Sequence, residues 1–262
     1  MFLKSKGFNF NGKHTDDFQL RIFQVGLSDA TQSFGLDRSL ELEKTNHLVS
    51  QLKTIKHNAL KFEITLSKTD GISLLPFTEE DKFEIIRWLF QNDDFKPITF
   101  DDQKDIIYYV MFTKGSSYQN AFKEGYLNLT MELNAPCGFT NITTGAMRVQ
   151  GETTFELFNR TNVESLTYPD IEFELIGRTT AIQIENLTTG DVMLFEGLAP
   201  SSHIYCYNEG LKQLSCVNNP SYNVRPYFNK QWLKLAYGRN IIRVSSPDAN
   251  INIIGQSKIA IQ

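Results

Sequence analysis

Ala181-Ile-Gln-Ile-Glu-Asn-Leu-Thr-Thr-Gly-Asp-Val-Met-Leu-Phe-Glu196 is the stretch from which the fold is read. Ile182 and Ile184 alternate with Gln183 and Glu185, the two-residue period of a half-buried strand. Leu187-Thr-Thr-Gly190 then reads as a hairpin loop with its glycine where positive φ is needed, and Asp191–Glu196 as the returning strand. The pattern repeats on both sides of this hairpin. Thr154–Phe158, Asp170–Ile176, His203–Asn208, Gln213–Val217, Trp232–Leu235, Asn240–Val244, Ile251–Ile254 and Lys258–Ile261 are further strand candidates. Short strands at this regular spacing predict a β-sandwich or barrel, and nothing in this half has helical periodicity.

The first half is also strand-rich, with one exception. Gly7-Phe-Asn-Phe-Asn-Gly12 carries the Asn-Gly pair of a tight hairpin, with a return arm over Phe18–Val25. Ser28–Ser33 reads as a loop, after which Leu36, Leu40 and Leu42 alternate with charged residues. Glu43–His57 is polar without clear period and reads as an exposed excursion. Leu60, Phe62, Ile64 and Leu66 alternate cleanly with polar neighbours. The exception is a helix with Thr78 as N-cap, Glu79, Glu80 and Asp81 in the first turn, and Phe83, Ile86, Leu89 and Phe90 as its apolar face. Gln91–Asp94 ends it. Strands at Ile98–Phe100, Ile106–Phe112 and Tyr126–Leu133 follow, the last with Leu127, Leu129, Met131 and Leu133 on one side. The small and turn-forming residues of Ala135–Gly145 place a domain boundary there, giving domains 1–137 and 138–262.

The 262 residues suit two domains of ordinary size, and 41% hydrophobic content with 20 Phe and 10 Tyr supplies ordered, strand-favouring cores. The net charge of −4, without a run of basic residues, argues against nucleic-acid binding. Cys137, Cys206 and Cys216 are too few and too scattered for a disulfide framework or a zinc cluster. The polar Met1–Lys6 start and the lack of any 18-residue apolar span predict no signal peptide and no membrane segment, hence folding in a reducing cytoplasm. The Asn-x-Thr triplets at Asn128, Asn141, Asn159 and Asn186 then read as turn or strand chemistry.

No catalytic motif emerges. His14, His47, His57 and His203 have no partners at metal-ligand spacing, and a zinc site needs three or four converging ligands. Asp16-Asp17 is expected to solvate a turn. Asp93, Asp94, Asp101, Asp102 and Asp105 offer the clustered oxygens that calcium takes, yet their spacing fits no calcium loop and a solvated turn is the simpler reading. Cys206 and Cys216 are expected to be buried thiols on neighbouring strands. Trp232 with Tyr227 and Tyr237 could form a sugar-stacking platform, against which stands the commoner fate of aromatics as packing. The expectation is no catalytic residue, no metal, no cofactor, and not an enzyme.

Several segments together resemble the phage distal tail proteins. They are Gly7–Gly12 with Asp17-Phe-Gln-Leu20, Leu60–Leu66, the helix ending Ile86-Arg-Trp-Leu89, Ile98-Thr-Phe-Asp101, Tyr108–Val110 and Gly125–Pro136. In the second half they are Asn186–Gly190, Glu196-Gly-Leu198 and Leu235-Ala-Tyr-Gly-Arg-Asn240 with Ile241–Val244. The resemblance implies a mainly β protein: an N-terminal sandwich-like ring domain with one helix and a hairpin, then a C-terminal galectin-like β-sandwich. It implies a ring, a hexamer in most of the family, at the tail tip or baseplate of a virion. Its partners would be the tail tube protein, a tail-tip or lysin-type protein and receptor-binding proteins, around a channel for DNA. A ring needs heterologous contacts between different patches of neighbouring subunits; the hairpin and the Glu43–His57 excursion are the segments expected to make them. A carbohydrate-binding sandwich is the alternative, and an unrecognised carboxylate hydrolase a third.

Overall fold

The structure, a computed structural model, describes residues 5–25, 38–43, 50–122, 124–163, 166–208 and 212–260. The loop expected at Ser28–Ser33, Leu36, His47 and the final Ile261 lie outside the described residues. The chain divides into two compact units, Met1–Phe139 with Ala260–Gln262, and Thr140–Ile259. Each has its own hydrophobic core.

In the first unit the strands are Phe8–Phe10 (β1), Lys13–His14 (β2), Leu20–Val25 (β3), Arg38–Glu43 (β4), Gln51–His57 (β5) and Lys61–Lys68 (β6). The helix Glu79–Phe90 (α1) follows, then Lys96–Phe100 (β7), Gln103–Gln119 (β8) and Gly125–Leu133 (β9). An antiparallel sheet runs in the order β3-β6-β9-β8-β7-β1-β2. The alternation read at Leu60–Leu66 and Tyr126–Leu133 is present, with Ile64, Leu66, Leu127, Leu129, Met131 and Leu133 all buried. The hairpin turn also forms where expected, Asn11 and Gly12 taking φ of 49° and 82°.

Three expectations are corrected here. The arm returning from the hairpin is Lys13–His14, not Phe18–Val25. A 3-10 turn over Thr15–Phe18, capped by His14 and closed by Gln19 in the left-handed region, swings the chain away, so that β3 pairs with β6 instead. Nor is the hairpin a free arm, because Phe8 and Phe10 are fully buried. Finally, α1 starts at Thr78 as read, with Thr78 and Asp81 capping each other, but it turns Ile85, Trp88 and Leu89 inward and leaves Phe83 and Ile86 outside. Trp88 decides the face. Its ring stacks on Phe8 (centroids 5.7 Å apart) and Phe18 (4.6 Å), and its indole N–H donates to the Phe10 carbonyl at 3.0 Å. This rotation satisfies the buried donor.

The second unit begins within Gly138–Thr143 (β10), which occupies much of the stretch read as a linker. Met147–Asn159 (β11), Leu166–Thr167 (β12), Asp170–Leu175 (β13), Ile182–Asn186 (β14) and Asp191–Phe195 (β15) come next. His203–Tyr207 (β16), Gln213–Cys216 (β17), Leu235–Ala236 (β18) and Gly238–Ile259 (β19) complete it. The opening hairpin is β14–β15, with Asn186 opposite Asp191 and Gly190 at φ 76°. Asn240–Val244, Ile251–Ile254 and Lys258 with Ile259 are not separate strands but parts of β19. The Ser245-Ser-Pro-Asp248 punctuation between them is a register shift against β11, between Val149 and Gly151, where a proline that cannot donate is tolerated.

That irregularity lets one strand serve two layers. Before it, β19 pairs with β14; after it, with β13. The layers meet through a shared core, in which Phe173 of β13 lies 5.0 Å from Phe195 of β15, and Phe195 stacks on Phe228 at 4.8 Å. The Trp232–Leu235 strand expected from sequence shrinks to Leu235–Ala236, paired with β12. Buried asparagine amides hold this segment by its backbone: Asn208 donates to Leu233 O (2.9 Å), Asn186 to Lys234 O (2.6 Å), Asn159 to Leu235 O (3.0 Å) and Asn240 to Ala236 O (2.8 Å).

Candidate assembly surface

The segment read as a polar excursion, together with the alternating Leu40 and Leu42 before it, exposes four large apolar side chains. β4 and β5 form a two-stranded ribbon separate from the main sheet. Leu40 lies opposite Ile55, and Leu42 opposite Leu52. Directly opposed residues of an antiparallel pair share a face, and so do residues two apart on one strand, which unites Leu40, Leu42 and Ile55. Leu52 would fall on the other face of a regular strand. The register shift between Glu41 and Leu42 places Lys53 as an extra residue and brings Leu52 back to the common side. All four apolar side chains remain 42–58% exposed. Glu41 and Lys56 form an ion pair on the ribbon. An isolated two-stranded ribbon is marginal in water, and a one-sided apolar ribbon is built to be covered.

A second exposed apolar strip lies on α1. Phe83 (66% exposed) and Ile86 (58%) sit one helical turn apart on its outer side. Phe90 continues the strip and rests its ring on Phe112 at 6.2 Å. Glu79, Glu80 and Glu84 belong to the same helix.

The other sequence candidates have structural roles. His14 donates from Nε2 to Asp101 Oδ1 (2.9 Å), while its Nδ1 accepts from the Asp16 backbone (3.1 Å). Asp101 and Asp102 form the tight turn from β7 to β8, and Asp94 accepts from the Phe95 amide. Asp16 pairs with Arg21, and Asp17 accepts from the His14 amide at 2.9 Å. Among the described residues no group of three or more His, Cys, Asp or Glu side chains could hold a metal ion. His57 is exposed at the end of β5, and His203 meets Glu172 Oε1 at 2.7 Å. Cys137, Cys206 and Cys216 are buried free thiols, and burial pushes the Cys206 thiol well above its ordinary pKa. The proposed sugar platform is dispersed: Trp232 packs edge-on against Phe228 (5.1 Å), Tyr227 stacks on Tyr222 (5.6 Å), and Tyr237 stands exposed. Of the four Asn-x-Thr asparagines, Asn159 and Asn186 are buried and Asn128 accepts from Thr65 across the β6–β9 ladder (2.8 Å). Leu40 and Leu42 alternate as read, but the second strand is not legible because its bulge breaks the two-residue period between Leu52 and Ile55.

Comparison with known proteins gives consistent matches. The family description "phage tail protein N-terminal domain" matches residues 3–135, and "phage tail C-terminal domain" matches residues 137–254. The SPbeta prophage-derived uncharacterized protein YomH of Bacillus subtilis (strain 168) is 25% identical over 177 residues, covering 64% of this chain and 65% of that protein. The chain thus spans just under two thirds of that relative's length. Among solved structures, the SPP1 Dit (gp 19.1) protein, described as a paradigm of the hub adsorption apparatus of phages infecting Gram-positive bacteria, aligns with a TM-score of 0.62. The alignment has 15% identity and covers 95% of this chain and 98% of that one. A chain of the phage P2 baseplate in its activated conformation aligns over 97% of this chain and 99% of that one, at 10% identity and a TM-score of 0.48. The SPP1 likeness shows a shared, mainly β fold.

Proposed function

The chain belongs to the phage tail protein family whose N- and C-terminal domains it matches, and from that premise we propose that it is a hub ring of the tail tip. As a tail protein it is part of the virion and has a structural, not catalytic, role. In the proposed hub, residues 1–137 form the ring-building domain and residues 138–262 a galectin-like sandwich directed at neighbouring proteins. Six copies surround a channel for DNA. The tail tube protein binds one side, a tail-tip or lysin-type protein the other, and receptor-binding proteins attach at the periphery.

One observation carries the reading: the β4–β5 ribbon aligns four exposed apolar side chains on one face, a surface that a chain working alone would bury or replace with charge. Subunit contacts of this kind suit a ring, where each copy covers the next. Light scattering on the purified full chain tests it. The expected mass is about six times the 30.0 kDa of one chain. A particle that stays at 30.0 kDa at high concentration, even with tail components added, overturns the hub assignment.

A further inference from the structure

Resting on the ring reading, we propose that the contact between neighbours is the apolar face of one copy's β4–β5 ribbon laid on the outer strip of α1 in the next copy. Both patches belong to the same unit, yet neither covers the other within one chain, because Leu40, Leu42, Leu52 and Ile55 on the ribbon and Phe83 and Ile86 on the helix are all exposed. Their spacings are of the same order. Cross-strand pairs two residues apart on a strand repeat every ~6.5–7 Å. Helix positions three apart rise by about 4.5 Å and lie on one side, so Phe83 and Ile86 can seat between the Leu40–Ile55 and Leu42–Leu52 pairs.

Charge points the same way. On the ribbon Lys56 already pairs with Glu41 of β4, and Lys53 is the cation of the bulge; on the helix Glu79 pairs with Lys82 and Glu84 with Arg87, and Glu80, one turn before Phe83, is the carboxylate facing it. Lys53 is the extra residue of the bulge that aligns the leucines, so one irregularity both completes the apolar face and presents a cation beside it. The helix answers with Glu80, and a Lys53–Glu80 pair would fix the register of ribbon on helix. Two different patches meeting head to tail make a heterologous contact, the type that closes into a ring when the rotation between copies allows it.

The test uses two full-length variants, Leu52→Asp, which spoils the ribbon, and Phe83→Asp, which spoils the helix strip. Both positions are exposed, and circular dichroism with urea unfolding checks that each variant folds like the wild type. Light scattering should find each variant alone monomeric. Mixed in equal amounts, they should form a dimer of twice the single-chain mass, because the intact ribbon of Phe83→Asp still meets the intact helix of Leu52→Asp. A mixture that stays monomeric, or single variants that assemble like the wild type, overturns the contact while a wild-type ring leaves the hub reading standing. A monomeric wild type removes both. As a second readout, Lys53→Glu should loosen the assembly in salt titration and the added Glu80→Lys should restore it. No recovery in the double variant counts against the proposed register.

Discussion

Trp88 illustrates how much of the first unit depends on single side chains. Its indole fills the space between Phe8, Phe10 and Phe18 and satisfies the Phe10 carbonyl. Trp88→Phe leaves a cavity and an unpaired buried acceptor, for an expected loss of about 2–4 kcal/mol in urea unfolding. Gly125 is a backbone case, since a Cβ there would lie 1.8 Å from the Tyr118 carbonyl oxygen. Gly125→Ala should therefore push apart the end of the β8–β9 hairpin and lower the melting temperature. Tyr108 links stability to pH. Burial, and after it the electrostatic influence of Asp102 and Cys137, raises its pKa from 10.0 to about 12. Above pH 10 the unfolded chain gives up this proton and the folded chain keeps it, so the contribution is complete below pH 10 and disappears towards pH 12. Tyr108→Phe should flatten stability over that window in alkaline titrations.

At the scale of elements, legibility followed how local the cause was. The start of α1 could be read because Thr78 and three acidic residues act within one turn, and the structure adds an ion pair from Asp81 to Lys68 of β6 at 2.7 Å. Burial raises the Asp81 pKa, but the bonds from Lys68 and Thr78 outweigh it and hold the carboxyl below its usual value. That stabilisation is present at neutral pH and lost on acidification through the lowered pKa, so Asp81→Asn should cost about 1 kcal/mol at pH 7 and less in acid. Which face of α1 turns inward was not legible. Apolar residues occupy both sides, and the choice was made by Phe8, Phe10 and Phe18, far away in sequence. The length of β19 was hidden by Pro247, a turn signal in isolation and a tolerated irregularity once Gly151 lies across from Ser246. The second strand of the ribbon was hidden by its bulge, where Lys53 breaks the two-residue period between Leu52 and Ile55.

At the scale of the whole molecule, assembly and charge make separate predictions. A fragment of residues 138–262 lacks both the ribbon and α1, so it should fold around its own core and remain monomeric in light scattering where the full chain assembles. Assembly by that fragment would move the ring contact out of the first unit. Each chain carries −4, and six would carry about −24, so duplex DNA should show no binding that weakens steeply with salt, as filter binding at low ionic strength can check. The strand β19 also sets the order in which the second unit can come into being. It is the last strand of that unit to leave the ribosome, yet both layers are registered against it. Until residue 238 and those after it emerge, β13 and β14 have exposed hydrogen-bonding edges and no common template, and the closing contacts span most of the unit's length. Such non-local closure is slow. A translational pause just upstream of β19 should therefore leave the nascent second unit open to proteases and chaperones, while the first unit's sheet, strung from neighbours already made, has condensed.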